Sequence, residues 1–280
     1  MQKRILIIQD LSAVGRVSAS VAMPILASSG LITTLLPTAL LSTHSGGFQG
    51  FSFLDLTQEM GKILDHWETT DLRFDAVQTG YLGSPCQARE VERAIGLAQK
   101  DAEIIVDPAM ADNGRLYSKI SKDMVEAMKS LCKKATIIIP NLTEAAFLTG
   151  KPYEDKHEDQ GYILDLAREL YRQLGVKNII ITGVSNQEGS YGAACYQGEK
   201  DQIYYSQKPK IKGHYYGTGD IFASVLTASV ENNKTIEEAL EIATEFTHRT
   251  IQQSFEKKLP QKYGVCFEQN IPWLIKQLDL

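Results

Sequence analysis

Short apolar runs alternate with amphipathic segments along most of this chain, and this alternation constrains the fold more than any other feature. The apolar runs lack the polar alternation of a half-exposed strand, so they indicate strands buried on both faces. They occupy residues 5–8, 31–40, 76–80, 103–108, 136–140 and 178–182. Between them, apolar residues recur at helical spacing in residues 17–30, 54–67, 86–100, 121–135 and 161–175. The sequence therefore predicts an α/β layered fold with a mostly parallel central sheet and right-handed connections.

The pattern changes after Gly189. Residues 191–211 alternate between apolar and polar side chains and contain turn residues, which predicts an antiparallel hairpin. A glycine motif with an apolar helical segment follows, and residues 235–255 form a further helical pattern with an acidic first turn. The sequence contains no linker rich in Pro, Gly or Ser, no internal repeat and no low-complexity tract. We therefore expect a single domain, residues 1–280.

Composition argues against several function classes. The formal net charge of −5 and the pI of about 5.6 disfavour a nucleic-acid surface, which needs clustered Lys and Arg. The four cysteines are far apart and form no CxxC pair, so no zinc or redox motif is expected. The first residues do not resemble a signal peptide, and no apolar run is long enough for a transmembrane helix. We expect a soluble, cytoplasmic protein without nucleic-acid or membrane partners.

Polar, glycine-rich and acidic residues follow the predicted strands. In an open parallel sheet, ligands bind in the crevice outside the carboxyl ends of the strands. The residues at these ends are Gln9 and Asp10, residues 43–46, residues 79–81, Asp107 and Pro108, Pro140 and Asn141 with Glu144, Thr182 and Gly183, and finally residues 217–220. The sequence therefore predicts a ligand site at this edge of the sheet.

The segment Gly217-Thr218-Gly219-Asp220 leads directly into an apolar helical pattern. Glycines allow the backbone to approach a ligand closely, and the free N–H groups at a helix N-terminus form an anion site. A carboxylate beside such a site has two interpretations. Asp220 is either the N-cap of the helix or a general base that accepts the proton of an acceptor hydroxyl.

Two further carboxylates also have two interpretations each. Asp107 ends a strand before Pro108, where it can hold a hydrated divalent cation or form an Asx turn. Asn141 and Glu144 have the spacing of a helix capping box. Glu144 can instead complete a magnesium site with Asp107 through water. Taken together with the glycine-rich helix start, the three carboxylates suggest phosphoryl transfer from a nucleotide to an alcohol.

Other nucleotide-binding classes are excluded by their missing motifs. The sequence has no GxxxxGK[ST] segment, so it is not a P-loop enzyme, and it lacks the HRD and DFG motifs of protein kinases. Its glycine motif is not GxGxxG and lies near the C-terminus, so it is not a Rossmann fingerprint.

Several motifs resemble one family in their order along nearly the whole chain. GTGDIFAS (residues 217–224) resembles the C-terminal signature of the ribokinase-like superfamily of small-molecule kinases. VDPAM (106–110), PNLTE (140–144) and TGYLGS (79–84) look like its vitamin kinase branch, the pyridoxal kinases and hydroxymethylpyrimidine kinases. Residues 7–26 and LLSTHSGGFQGF (40–51) resemble the start and the second substrate loop of pyridoxal kinases.

This resemblance implies a three-layer αβα sandwich, a homodimer, and ATP with Mg²⁺ as cosubstrate and cofactor; K⁺ is a further cofactor that it allows. It assigns Asp220 as the catalytic base and Gly217, Thr218 and Gly219 as the anion hole. The nucleotide contacts that it implies are Asp107, Asn141, Glu144, Thr182, Lys208, Pro209, Lys210 and Ile211. Asp107 and Glu144 would serve the metal, and the vitamer pocket would consist of Asp10, Ser45, Gly46 and Tyr81.

The leading hypothesis is thus ATP-dependent phosphorylation of the hydroxymethyl group of pyridoxal, pyridoxamine or pyridoxine. The sequence departs from many pyridoxal kinases by carrying Asp10-Leu11 where they carry Ser-His. Asp at this position resembles the hydroxymethylpyrimidine kinases of thiamine synthesis, although their AGSDSSGGAG-like segment is absent. That activity stays open as an alternative. A non-catalytic vitamer sensor is a third hypothesis, disfavoured by the intact Asp220.

Overall fold

The computed structural model describes residues 2–117 and 120–280. The strands are β1 (Arg4–Ser12), β2 (Ile32–Leu41), β3 (Phe53–Asp55), β4 (Phe74–Thr79), β5 (Ala98–Val106), β6 (Ala111–Asp112), β7 (Arg115–Leu116), β8 (Ile137–Ile138), β9 (Asn178–Val184), β10 (Ser190–Gln197) and β11 (Gln202–Pro209). The α-helices are α1 (Ala19–Ser28), α2 (Thr57–Trp67), α3 (Pro85–Ile95), α4 (Lys122–Cys132), α5 (Leu142–Thr149), α6 (Gln160–Leu174), α7 (Thr218–Glu231), α8 (Ile236–Glu256) and α9 (Ile271–Gln277).

A nine-stranded sheet forms the centre of the molecule, in the order β11-β10-β9-β8-β5-β4-β1-β2-β3. The six strands from β9 to β2 in this order are parallel. The edges are antiparallel, with β3 on one side and the β10–β11 hairpin on the other. This arrangement confirms the predicted α/β fold with a mostly parallel sheet.

Helices cover both faces of the sheet, because successive side chains of each parallel strand point to opposite sides and are apolar on both. Leu6 and Ile8 belong to one buried core, which includes residues of α2, α3, α4, α5 and α6. Ile5 and Ile7 belong to the other, which includes residues of α1, α7, α8 and α9. The predicted three-layer αβα sandwich is confirmed.

The register of the parallel strands decides where the following residues emerge. Ile8 lies beside Thr79, Thr79 beside Val106, and Val106 beside Ile138. The residues after these four positions therefore leave the sheet along one edge. This edge carries the polar residues that the sequence places after each strand.

Two predicted helix boundaries are wrong. The helix expected at residues 86–100 ends at Ile95, and β5 begins at Ala98 beside Phe74. The helix expected from residue 54 begins only at Thr57, because residues 53–55 pair with β2. In both places the apolar spacing suits a helix and a strand equally, and strand pairing decides the outcome.

In the described ranges, no helix combines the length and the apolar character needed to cross a bilayer.

Phe246 on α8 is fully buried in the core that also contains Ile5 and Ile7. Its ring centroid lies 6.3 Å from that of Trp273. We therefore expect truncation of this side chain to have a large effect on stability. Phe246→Ala should lower the free energy of unfolding by about 3–5 kcal/mol, because it removes buried apolar surface and leaves a cavity. Phe255→Ala is the matched control on the same helix, since Phe255 is 54% exposed, and it should change stability by less than about 0.5 kcal/mol. Urea unfolding measures both; equal effects would contradict the assigned packing of α8.

Candidate active site

A cavity of about 1130 Å³ opens at the carboxyl edge of the sheet. Loops after the parallel strands, the start of α7 and one face of α8 form its walls. Most of the predicted site residues line it, namely Asp10, Ser45, Gly46, Tyr81, Asn141, Thr182, Pro209, Lys210, Ile211, Gly217, Thr218, Gly219 and Asp220. Three predicted residues, Asp107, Glu144 and Lys208, are not part of this lining.

The start of α7 approaches the loop after β1 at main-chain level. Gly217 has a φ of 78°, in the left-handed region, and a Cβ atom there would overlap the main-chain oxygen of Arg16. Both the positive φ and the close approach to Arg16 therefore require a glycine at this position. Gly219 faces open space, so a ligand can approach the backbone of the first turn. The geometry is that of a helix N-terminus that can accept an anion.

Asp220 lies in the first turn of α7 and does not cap the helix. The N-cap position belongs to Gly217, and no side chain makes a capping hydrogen bond there, so the N-cap interpretation of Asp220 is wrong. Burial raises the pKa of Asp220 to about 7; the charge of Asp10 adds to the increase, and a hydrogen bond from the Ser18 backbone opposes it. Such a carboxylate can take up a proton near neutral pH.

The proposed vitamer pocket lies in the same cavity around Asp10, which is 5% exposed. The Ser12 hydroxyl donates to Asp10 Oδ2 at 3.2 Å. Burial raises the pKa of Asp10, and hydrogen bonds with Ser18 and Ser12 counteract it. Burial and the charge of Asp10 also raise the pKa of Tyr81. A buried carboxylate beside a phenol can recognise ring substituents that donate hydrogen bonds.

His44 is a residue of this pocket that sequence reasoning did not single out. Its Nδ1 accepts the N–H of Gly46 at 3.1 Å, so Nε2 must carry the proton that is donated to Lys262 O at 2.6 Å. Its ring also lies 5.2 Å from that of Tyr216, next to the glycine motif. His44 thus joins the loop after β2, the C-terminal segment and the start of α7. The sequence signals for this role were its position among residues 43–46 after a predicted strand and within the segment LLSTHSGGFQGF (40–51).

Asn141 and Glu144 form the predicted capping box at the start of α5. Glu144 is 2% exposed, and its Oε2 accepts the N–H of Asn141 at 2.8 Å. Its Oε1 accepts the N–H groups of Met110 at 3.0 Å and Ala111 at 3.4 Å. Glu144 therefore fixes the loop after β5, and most of its acceptor capacity is already used.

The carboxylate of Asp107 has no hydrogen-bond partner among the described residues, and part of the residue is exposed to solvent. Burial and the charges of Glu144 and Asp220 raise its pKa well above the usual range. An acceptor-only group in a negative environment suits a hydrated Mg²⁺, which protein sites usually hold by one or two carboxylates plus phosphates. Within residues 2–117 and 120–280, no three acidic, His or Cys side chains converge to hold a metal by themselves.

The structure places Lys208 within β11 and outside the cavity lining. Its Nζ lies 2.6 Å from Glu241 Oε1 and 3.0 Å from Glu245 Oε2, both on α8. Lys210 has left the strand, lines the cavity, and has its Nζ 5.5 Å from the ring centroid of Tyr191. Side-chain alternation does not separate residues 208 and 210, which are two positions apart. They differ because Lys208 lies within β11 whereas Lys210 follows its last residue.

One wall of the cavity comes from α8 and was not predicted. It includes Thr244, Thr247 and His248. The hydroxyls of Thr244 and Thr247 are buried and have no hydrogen-bond partner in the described part of the chain. They remain available to the edge of a polar ligand. In the sequence both are ordinary polar positions of an amphipathic helix, so no local signal marks them.

Comparison with known proteins gives matches along most or all of the chain. The sequence profile described as phosphomethylpyrimidine kinase matches residues 28–264. A crystal structure described as a "putative phosphomethylpyrimidine kinase" from Bacteroides thetaiotaomicron, in a form with pyridoxal, is 38% identical in sequence. The alignment covers 100% of this chain and 96% of that one, with a TM-score of 0.91.

Relatives with different names also match. Pyridoxal kinase from Lactobacillus plantarum is 29% identical, with a TM-score of 0.91 over 99% of this chain and 98% of that one. The hydroxymethylpyrimidine/phosphomethylpyrimidine kinase of Bacillus subtilis is also 29% identical, over 80% of this chain and 78% of that protein. Some relatives are longer: the chain spans about half, 51%, of a curated relative from Caenorhabditis elegans.

The raised pKa of Asp220 predicts a pH-dependent effect on stability. The folded protein holds this proton up to about pH 7, whereas an unfolded Asp releases it near 3.8, so the parent protein loses stability between these values. Asp220→Asn removes the titration and should raise the Tm by about 3 °C or more at pH 8. At pH 4 the two proteins should melt alike. Thermal unfolding at both pH values checks this; equal differences in Tm would contradict it.

Proposed function

This chain belongs to the phosphomethylpyrimidine kinase family, whose members phosphorylate an alcohol group, and we propose that its substrate is a B6 vitamer. The proposed reaction transfers the γ-phosphoryl group of ATP to the hydroxymethyl group of pyridoxal, pyridoxamine or pyridoxine. One observation carries the proposal. Asp220, free of any capping role, shares a cavity with the anion-binding start of α7 and with the pocket around Asp10.

Asp220 acts as the general base in this proposal. Its carboxylate accepts the proton of the vitamer hydroxyl while the hydroxyl oxygen bonds to the γ-phosphorus and the bond to ADP breaks. The N–H groups at residues 217–219 face the charge on the transferred group. A base with a pKa of about 7 is suited to neutral pH, because proton affinity and the ionised fraction are then both substantial.

Asp107 is the residue best suited to hold a hydrated Mg²⁺, with Glu144 adding negative charge from behind the capping box. Bound Mg²⁺ would neutralise charge on the phosphate oxygens during transfer. Asp107 and Asp220 repel each other while both are ionised, which contributes to the raised pKa of Asp107. A cation at Asp107 would relieve this repulsion.

At the vitamer end, Asp10 accepts a hydrogen bond from the phenol or from the protonated ring nitrogen of the substrate. Ser45, Gly46 and Tyr81 line the space around it. The pyridoxal in the structure of the Bacteroides relative supports a ligand with a pyridine ring for this chain.

Hydroxymethylpyrimidine phosphorylation is the second candidate. The matching family profile and the Bacillus subtilis relative favour it, since both have names from the pyrimidine reaction. An aminopyrimidine can also donate to Asp10. The two candidates share the Asp220 chemistry and differ only in the ring.

A coupled assay of ADP release with Mg-ATP tests both the reaction and the base. We expect turnover with pyridoxal or pyridoxamine at higher kcat/KM than with hydroxymethylpyrimidine. Asp220→Asn should lower kcat by roughly 10²–10⁴, the range for loss of a general base, with little change in vitamer Kd. Preference for the pyrimidine would select the second candidate. Binding of a vitamer without ADP release would instead indicate a sensor.

Lys210 and Lys208 allow a matched test of which lysine contributes to ATP binding. Lys210→Met should raise the KM for ATP about fivefold, because it removes a positive charge from the cavity wall worth about 1 kcal/mol. Lys208→Met should leave that KM within about twofold, because Lys208 pairs with Glu241 and Glu245, but it should lower the Tm. Steady-state kinetics and thermal unfolding separate the two; a larger KM effect at Lys208 would contradict the placement.

A further inference from the structure

Two fully buried glutamines lie on the sheet face beneath the start of α7. Gln9 on β1 and Gln78 on β4 are both 0% exposed, on a face that otherwise carries apolar residues such as Ile5, Ile7 and Ala76. The Oε1 atom of each glutamine has no hydrogen-bond partner among the described residues. A buried polar atom without a partner destabilises the fold. Stability therefore does not explain why these positions carry amides.

The other end of the Gln9 amide faces the proposed base. Gln9 Nε2 lies 3.5 Å from Asp220 Oδ1. A carboxylate accepts hydrogen bonds and cannot donate them when ionised, so the amide nitrogen is the end that belongs on this side. Gly80, which follows β4, makes the contact possible, because a Cβ atom at residue 80 would overlap the Gln9 side-chain amide.

We propose that Gln9 is a positioning residue for Asp220, holding Oδ1 from the sheet side so that Oδ2 is directed to the acceptor hydroxyl. This inference rests on the proposed function, in which Asp220 is the base. It assigns a role to a strand residue that is not part of the cavity lining. It also accounts for the unpartnered Oε1, which is the unused end of an amide kept for its N–H.

Other groups around Asp220 act on the same carboxylate. Burial and the charge of Asp10 oppose its ionisation, and the Ser18 backbone hydrogen bond favours it. The N–H of Gln9, 3.5 Å from Oδ1, also favours the ionised form, because a donor stabilises the negative charge. The charge of Asp107 lies close enough for the two carboxyl groups to interact. Removing the Gln9 donor leaves the opposing effects in place. The base would then ionise at higher pH and would be less well oriented.

Gln78 provides a matched control. Its Nε2 donates to Ser224 Oγ at 3.2 Å, and the Ser224 hydroxyl donates to the main-chain oxygen of Asp220 at 2.6 Å. In the described structure the Gln78 side chain makes no hydrogen bond to the Asp220 carboxylate. The two glutamines thus match in burial and in their unpartnered Oε1, and differ in whether they contact the base.

The test compares Gln9→Met with Gln78→Met, each an unbranched apolar replacement of similar size. We expect Gln9→Met to keep or raise the Tm, to lower kcat at pH 7 about tenfold, and to move the rising limb of the pH–rate profile upward by about one unit. The KM for ATP should stay within about twofold. Gln78→Met should leave the rising limb at the pH found for the parent protein, and its kcat should stay within about twofold of the parent value. Gln9→Asn shortens the side chain and so moves the amide away from Asp220. If Gln9→Met folds poorly, Gln9→Asn should show the same upward shift of the rising limb of the pH–rate profile.

A second readout separates this inference from the proposed function. The Asp220 carboxyl resonance, followed by ¹³C NMR in the substrate-free protein, should titrate about one pH unit higher in Gln9→Met than in the parent. This shift is expected even if no vitamer is phosphorylated, in which case only the proposed function fails. An unchanged titration, or an equal loss of kcat in both Met variants without a shifted limb, would overturn the role of Gln9.

Discussion

The main-chain contact between Gly217 and Arg16 is the constraint on which the site depends. It seats the start of α7 against the loop after β1, so the anion-binding N–H groups lie beside the pocket around Asp10. Arg16 is held from a second direction, because its N–H donates to Tyr263 O at 3.0 Å. His44 adds the loop after β2 to the same C-terminal segment through Lys262. Four distant parts of the chain thus meet around one backbone contact.

Four carboxyl groups lie in or beside this site, and their ionisation destabilises the folded protein. Burial raises the pKa of Asp10, Asp107, Glu144 and Asp220 alike. The charges of Glu144 and Asp220 add to the effect for Asp107, and the charge of Asp10 adds to it for Asp220. Groups that destabilise the folded protein at neutral pH suggest functional rather than structural roles. Glu144 shows that one side chain can serve both, since it caps α5 while contributing charge near Asp107.

The features that could be predicted from the sequence are those that local patterns determine. Buried strands were recognised because their apolar runs are continuous, and the site edge followed because parallel strands end together. The end of α3 was missed because Leu97 and Ala98 fit both periodicities until Ala98 pairs with Phe74. Lys208 was grouped with Lys210 because sequence proximity does not show that β11 ends between them, or that Lys208 pairs with Glu241 and Glu245 of α8. The sequence placed Gln9 at the ligand edge, but its contact with Asp220 depends on tertiary packing. The same holds for the position of Thr244 and Thr247 in the cavity wall, which no motif marks.

The contact of Arg16 with Tyr263 joins residues near opposite ends of the described chain. Contacts of such large sequence separation are slow to form, because a long loop must be closed before they contribute any favourable energy. The sheet and its local helix pairs can form before this closure. We therefore expect the edge that carries the candidate site to assemble late, so that a refolding chain would regain its secondary structure before its binding competence.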